Sequence, residues 1–309
     1  MVKSDLTAAI KAIDSAINYS NVVMGWSKND AGKWQYGTKD GYLSNGWNKV
    51  GATWYYFNAD GTAKQSEWFQ ENGKWYYFNS NCGAAYNWCK VDGNWYFFNG
   101  DNAMRTGWLK KEGSWYYLAS SGKMVTGWTQ IDGKWYYFDG SGAMQTGWAK
   151  VGGTWYYLSG SGAMQTGWLK LGSKYYYLKA DGTRATGWVK VNGGRYYLDK
   201  KGVRKYGWLT VGKKKYLLGT KTGKACTGWR KYRGKIYYFS TQTGQMRKGW
   251  LTFGDNKYYT KSNGVRAAGW TKIKGKWYYF NKKNGAMKKN CKVGKYRFDE
   301  NGVCANYKK

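Results

Sequence analysis

The sequence predicts an all-β protein: an elongated solenoid, or superhelix, of about 13 stacked β-hairpin repeats of 20–21 residues with a short N-terminal helix. Three observations predict it. Tryptophans recur at Trp26, Trp47, Trp68, Trp88, Trp108, Trp128, Trp148, Trp168, Trp188, Trp208, Trp229, Trp250 and Trp270, every gap being 20 or 21 residues. Each of the other eight of the 21 Trp opens an aromatic run seven residues after such a leading Trp (eight in the first repeat), as Trp135-Tyr136-Tyr137-Phe138 follows Trp128. Aromatics make up 20% of residues, Gly supplies 45 and Pro none, which suits short aromatic strands joined by glycine turns.

In chain order, residues 1–24 form an attachment segment. Leu6, Ile10, Ile13 and Ile17 share one face of an amphipathic helix over residues 5–19, capped by Ser4 or Asp5. A helix of about four turns is marginal alone in water, so it is expected to dock on the first repeat, an upstream module or a second copy. From residue 25 the hairpins begin. Gly147–Val151 and Thr154–Leu158 read as two strands joined by the tight Val151-Gly152-Gly153 link. The SGSGAM-type linker that follows is too short for a crossover helix and too polar to be buried. Residues 25–169 are near-neutral repeats; residues 170–309 are strongly basic, degenerate ones. In the last unit Cys291 stands where the leading Trp belongs and the hairpin is shortened, as a terminal cap would be.

Composition narrows the function. The chain has no histidine, which removes Ser-His-Asp and Cys-His catalysis and His-ligated zinc. With only Glu67, Glu71, Glu112 and Glu300, and Asp mostly in turn contexts, a glycosidase-type carboxylate pair is not expected, so no enzyme and no cofactor is predicted. Five cysteines (Cys82, Cys89, Cys226, Cys291, Cys304) without CxxC spacing suggest small-residue filler, although Cys82–Cys89 and Cys291–Cys304 are close enough in sequence to bridge. No apolar run is long enough for a membrane span. Asp5, Lys11 and Asp14 interrupt any signal-peptide core in Met1–Met24.

Net charge is +34 and unevenly spread. Residues 1–169 hold 15 Lys/Arg against 12 Asp/Glu, and residues 170–309 hold 36 against 5. Such asymmetry points to an anionic polymer as a partner of the basic half, or to a solvated face that keeps an aromatic solenoid soluble. Nucleic acid is disfavoured because the tryptophans cluster in the near-neutral half, away from the charge.

Strand alternation separates two roles within the aromatic run, numbered one to four from its first residue. Position four is Phe or Leu from Phe57 to Leu218, as a core position should be. Position one is Trp through Trp155, then Tyr175, Arg195, Lys215, Ile236 and Lys257 before Trp277; a place that accepts Arg and Lys faces solvent. An exposed position-one Trp, the leading Trp of its hairpin and a Tyr of the next would make three walls of a box for a quaternary ammonium. Each cation–π contact in such a box contributes about 0.5–2 kcal/mol.

The pattern GWxKxxGxWYYLxxSGxMxTGW closely resembles the choline-binding repeat of Gram-positive surface proteins and phage lysins, over roughly residues 25–309 and most clearly over Trp88–Trp168. The resemblance implies a left-handed superhelix of hairpins. It also implies choline held between neighbours by two Trp and a Tyr with a Met nearby, and phosphocholine on teichoic acid as the ligand. Carried over by position, the cages are Trp88, Trp95, Tyr117 and Met124; Trp108, Trp115, Tyr137 and Met144; Trp128, Trp135, Tyr157 and Met164; Trp148, Trp155 and Tyr177. Trp47, Trp54 and Tyr77 also match, with Lys64 and Ala84 in place of Met, whereas Trp68, Trp75 and Phe97 lack the hydroxyl. Taking Tyr from position three rather than two rests on alternation alone. Beyond Trp168, Arg195, Lys215 and Lys257 put a cation where a cage would hold one, so choline binding is expected to stop there.

The function expected is therefore a non-catalytic cell-wall-binding protein recognising choline-bearing teichoic acid of a Gram-positive wall, as a phage lysin module, a phage tail component or a surface protein. The expected location is extracellular, wall-associated or on a virion. A glucan- or host-glycan-binding array of the toxin or glucosyltransferase type, and a polyanion binder acting through the basic half, are the alternatives.

Overall fold

The computed structural model describes residues 6–10 and 22–307. Residues 6–10 are helical and exposed; the remainder of the helix expected over 5–19, with Ile13 and Ile17, lies outside the described residues. Two compact units are present, one of residues 1–147 with 158–164 and one of residues 148–157 with 165–309.

Both units are built from antiparallel hairpins, so the fold is the predicted all-β hairpin array with one short helix. Among the described residues there are fourteen small sheets, thirteen of two strands and a first of three (Gly25–Lys28, Trp34–Thr38, Gly41–Tyr42). The shortened last unit still pairs, Cys291–Val293 with Tyr296–Phe298. Turn chemistry closes the hairpins. At Asp92-Gly93 both central residues have positive φ, 48° and 79°, the geometry whose twist matches the flanking strands. That turn fixes a register in which Trp88 faces Phe97 and Lys90 faces Trp95.

An isolated two-stranded sheet is marginal in water, so each hairpin relies on its neighbours. Position four supplies the core: Phe57, Phe78, Phe98, Leu118, Phe138, Leu158, Leu178, Leu198 and Leu218 are completely buried, each contributing about 1.5–3 kcal/mol. In the Trp250 hairpin this position is Thr260, also buried, and its hydroxyl donates to the Arg247 and Gly249 carbonyls (2.9 and 3.3 Å). The linker after one hairpin is pinned to the hairpin before it. Met104, Met124 and Met144 donate their N–H to the carbonyls of Trp75, Trp95 and Trp115 (2.7–2.8 Å). In the second unit Arg184 and Arg204 do the same to Trp155 and Tyr175 (2.8 Å). The five cysteines are free. Cys82 is buried beside Phe57 and Ala63, a filler as its sequence context suggests.

Candidate functional site

Alternation places the leading Trp, position one and position three on one face of a hairpin, and positions two and four on the other. A hairpin between two neighbours presents one face to each. The space between hairpins is therefore walled by the first face of one and the second face of the next. At Trp88 this gives a 330 Å³ cavity lined by Trp88, Trp95, Tyr116, Met124 and Ser141, with the Trp88 and Tyr116 rings 5.1 Å apart and inclined at 65°. Lys90, opposite Trp95 in register, holds its ammonium 6.0 Å from the Trp95 ring.

The same box recurs in the first unit. Trp68, Trp75, Tyr96 and Met104 line a 420 Å³ cavity, and Trp47, Trp54 and Tyr76 a 380 Å³ one. Asp101, paired to Lys74 at 2.8 Å, borders the cavity at Trp47 and adds a carboxylate there. At Trp108 the walls are Trp115 (6.2 Å, perpendicular) and Tyr136 (5.0 Å), with Met144 bonded to the Trp115 carbonyl. Trp54, Trp75, Trp95 and Trp115 are 39–42% exposed, so one ring face of each box is open to a solute.

The third wall differs from the one expected. Tyr77, Tyr117, Tyr137, Tyr157 and Tyr177, at position three, stand directly across their own hairpins from Trp68, Trp108, Trp128, Trp148 and Trp168, at 5.1–5.2 Å. None of them closes the box of the preceding hairpin in the places where that box is described; position two does. Alternation holds within each strand, but the neighbouring hairpin contributes its opposite face. Tyr96 therefore completes the box at Trp68 and Trp75, where position three is Phe97 and lacks the hydroxyl. Trp135 is 42% exposed and Met164 donates its N–H to the Trp135 carbonyl (2.7 Å), as at the other boxes.

In the second unit several boxes are filled from within. The linker position, Met at 104, 124, 144 and 164, becomes Arg at 184, 204 and 266, with Ala225, Met246 and Met287 at the remaining repeats. Trp148, Trp155 and Tyr176 come together as a box (Trp148 to Trp155 6.4 Å, to Tyr176 5.0 Å), but the Arg184 guanidinium lies 5.7 and 5.3 Å from the two Trp rings. In the cage expected from Trp148, Trp155 and Tyr177 the third ring is therefore Tyr176, and Arg184 lies against both Trp rings. Arg204 lies 4.9 Å from the Trp168 ring and 4.2 Å from that of Tyr175, held by the Tyr206 hydroxyl at 2.6 and 2.9 Å. Arg195, at position one, lies 4.6 Å from Trp188. The return of Trp at 277 opens no box either: Tyr307 stacks on Trp270 at 3.9 Å and meets Trp277 at 4.7 Å. The sequence signal for the linker plugs is plain afterwards: DGTRAT stands at 181–186 where SGAMQT stands at 161–166.

A choline-binding repeat model matches residues 44–87, 85–126, 125–166, 165–202 and 247–291, and a cell wall binding repeat model matches residues 227–246. The chain belongs to the choline-binding repeat family. Among solved structures it is similar to CbpJ of Streptococcus pneumoniae TIGR4, with 28% identity over 77% of this chain and 99% of that one (TM-score 0.57). It is also similar to choline binding protein F of Streptococcus pneumoniae, with 29% identity over 78% and 98% (TM-score 0.53). The latter protein has also been solved in the presence of a peptidoglycan analogue, a tetrasaccharide-pentapeptide (TM-score 0.54). No curated protein matches the chain.

Proposed function

We propose that this chain is a non-catalytic, wall-associated module that holds choline groups of a cell-wall polymer in the boxes of its first unit. The carrying observation is the set of four aromatic boxes at Trp47, Trp68, Trp88 and Trp108. Each has two Trp walls and a position-two Tyr; Met104 and Met124 line two of them, and Met144 holds the same linker position at a third. Three ring faces at about 0.5–2 kcal/mol each correspond to roughly millimolar sites for a free quaternary ammonium. A trimethylammonium suits them better than a primary ammonium, which loses more hydration on entry. Arrayed on one polymer, such weak sites gain from effective concentration, by about 100-fold or more.

The boxes at Trp148, Trp168 and Trp188 take no choline in this reading, because an arginine already occupies the cation's place and a second cation would be repelled. Calorimetric titration with choline tests it. Saturable heat is expected, and Trp95→Ala should remove one site while leaving the others unchanged. Absence of heat in the wild type, or a stoichiometry untouched by Trp95→Ala, sinks the reading.

A further inference from the structure

The hairpin of Gly187–Val191 and Gly194–Leu198 carries a socket of opposite chemistry. Position one there is Arg195 in place of Trp, and the linker position is Ala225 in place of Met, its N–H bonded to the Arg195 carbonyl (2.8 Å) as Met124 is to Trp95. Arg195 lies over Trp188 (4.6 Å) and donates from Nη1 to the Thr243 carbonyl. Beside Arg195 is a 460 Å³ pocket bordered by Lys190, Arg195, Lys224, Thr227, Thr241 and Gln242; neither Trp188 nor Tyr216 lines it, and its wall has no aromatic and no carboxylate.

Three features make this an anion site. Lys190 and Arg195 are directly opposite in register, and like charges so placed destabilise a hairpin unless something lies between them. Where the other hairpins carry Lys at that place it mostly faces an aromatic ring, as Lys110 faces Trp115; among the described residues the shortened last hairpin alone repeats the pairing of two cations, Lys292 opposite Arg297. Among the described residues, none of Lys190, Arg195 and Lys224 forms an ion pair with a carboxylate. The Arg195 guanidinium is oriented by two contacts that leave most of its five N–H donors unused, and two threonine hydroxyls and a Gln amide add neutral donors. Three cations with several short donors suit a tetrahedral anion with many acceptor oxygens better than a single carboxylate.

We propose that this socket binds a phosphate group, as a monoester or diester, so that one repeat position serves a cation in the first unit and an anion in the second. The test is an NMR titration of the full chain with inorganic phosphate at constant ionic strength, following the Arg195 side-chain N–H and the Thr227 and Gly244 amides. Saturable shifts are expected at these signals. Arg195→Trp, which restores the aromatic wall, should abolish them, and Lys190→Gln should weaken binding severalfold with the hairpin intact. Lys276→Gln, an exposed lysine on another strand that faces Ile273 and no second cation, should leave the curve unchanged. Non-saturating shifts of equal size over all basic residues, or wild-type curves for both Arg195→Trp and Lys190→Gln, overturn the proposal. Choline titration of the same sample reads different residues, so failure of either assignment is seen separately from the other.

Discussion

On the proposed function, Arg184 decides whether a well-formed aromatic box takes choline. Trp148, Trp155 and Tyr176 have the spacing of their counterparts in the first unit, yet a guanidinium 5.3 Å from Trp155 already supplies the cation–π partner. Arg184→Met should vacate the box and give it the linker side chain of the first-unit boxes. The expected outcome is one additional choline site of roughly millimolar affinity by calorimetry. An unchanged stoichiometry would show that the plug is not what silences it. Cys82 illustrates the opposite case, a residue with chemical potential but no opportunity. It is buried, and burial pushes its thiol up to about 11, so almost no thiolate forms near neutral pH. Native-state alkylation should spare Cys82 and label it only after unfolding. Prompt labelling in the folded protein would contradict its placement.

At the scale of the element, the boxes at Trp68, Trp88 and Trp108 each have their linker Met against a glycine two hairpins further on, Gly122, Gly142 and Gly162. Gly142 has φ +83°, a left-handed conformation open to Gly, and its missing side chain leaves room for the Met124 thioether. A Cβ at residue 142 would sit inside van der Waals contact of Met124 Sδ, and the backbone there resists any L side chain. Gly142→Ala should therefore displace Met124 from the Trp88 box and weaken choline at that site severalfold, while lowering stability by about 1 kcal/mol or more. Choline heats identical to wild type would mean that the Met floor contributes nothing to binding.

At the scale of the whole molecule, the loops are held by carboxylates that stay ionised to unusually low pH. Hydrogen bonds from the Ser141 hydroxyl hold Asp139 below its ordinary value, from Thr62 hold Asp60, from Thr183 hold Asp181, and from Lys74 hold Asp101. A depressed native pKa contributes stability that is fully present above the unfolded value of about 3.9 and is lost as pH falls through the native one. Acid also raises a net charge already at +34, which adds self-repulsion. The melting temperature should therefore be nearly flat above about pH 5 and fall steeply below about pH 4. Circular dichroism melts at several pH values check this, and a flat profile down to about pH 2.5 would remove these turns from the account.

The sequence by itself determined the hairpin, its 20–21-residue repeat, the buried position four from Phe57 to Leu218 and the exposed position-one tryptophans. Each follows from local rules: turn residues set the register, and the register assigns faces. It also placed Arg195 where the first repeats carry Trp. Only the tertiary structure decided which Tyr closes a box and which boxes are already full. The third wall comes from the far face of the next hairpin, so Tyr116 serves Trp88 while Tyr117 stays with Trp108, and no periodicity within one strand distinguishes them. The linker plugs reach back from the following hairpin, placing Arg184 on Trp155 twenty-nine positions earlier, a distance at which only packing brings two side chains together.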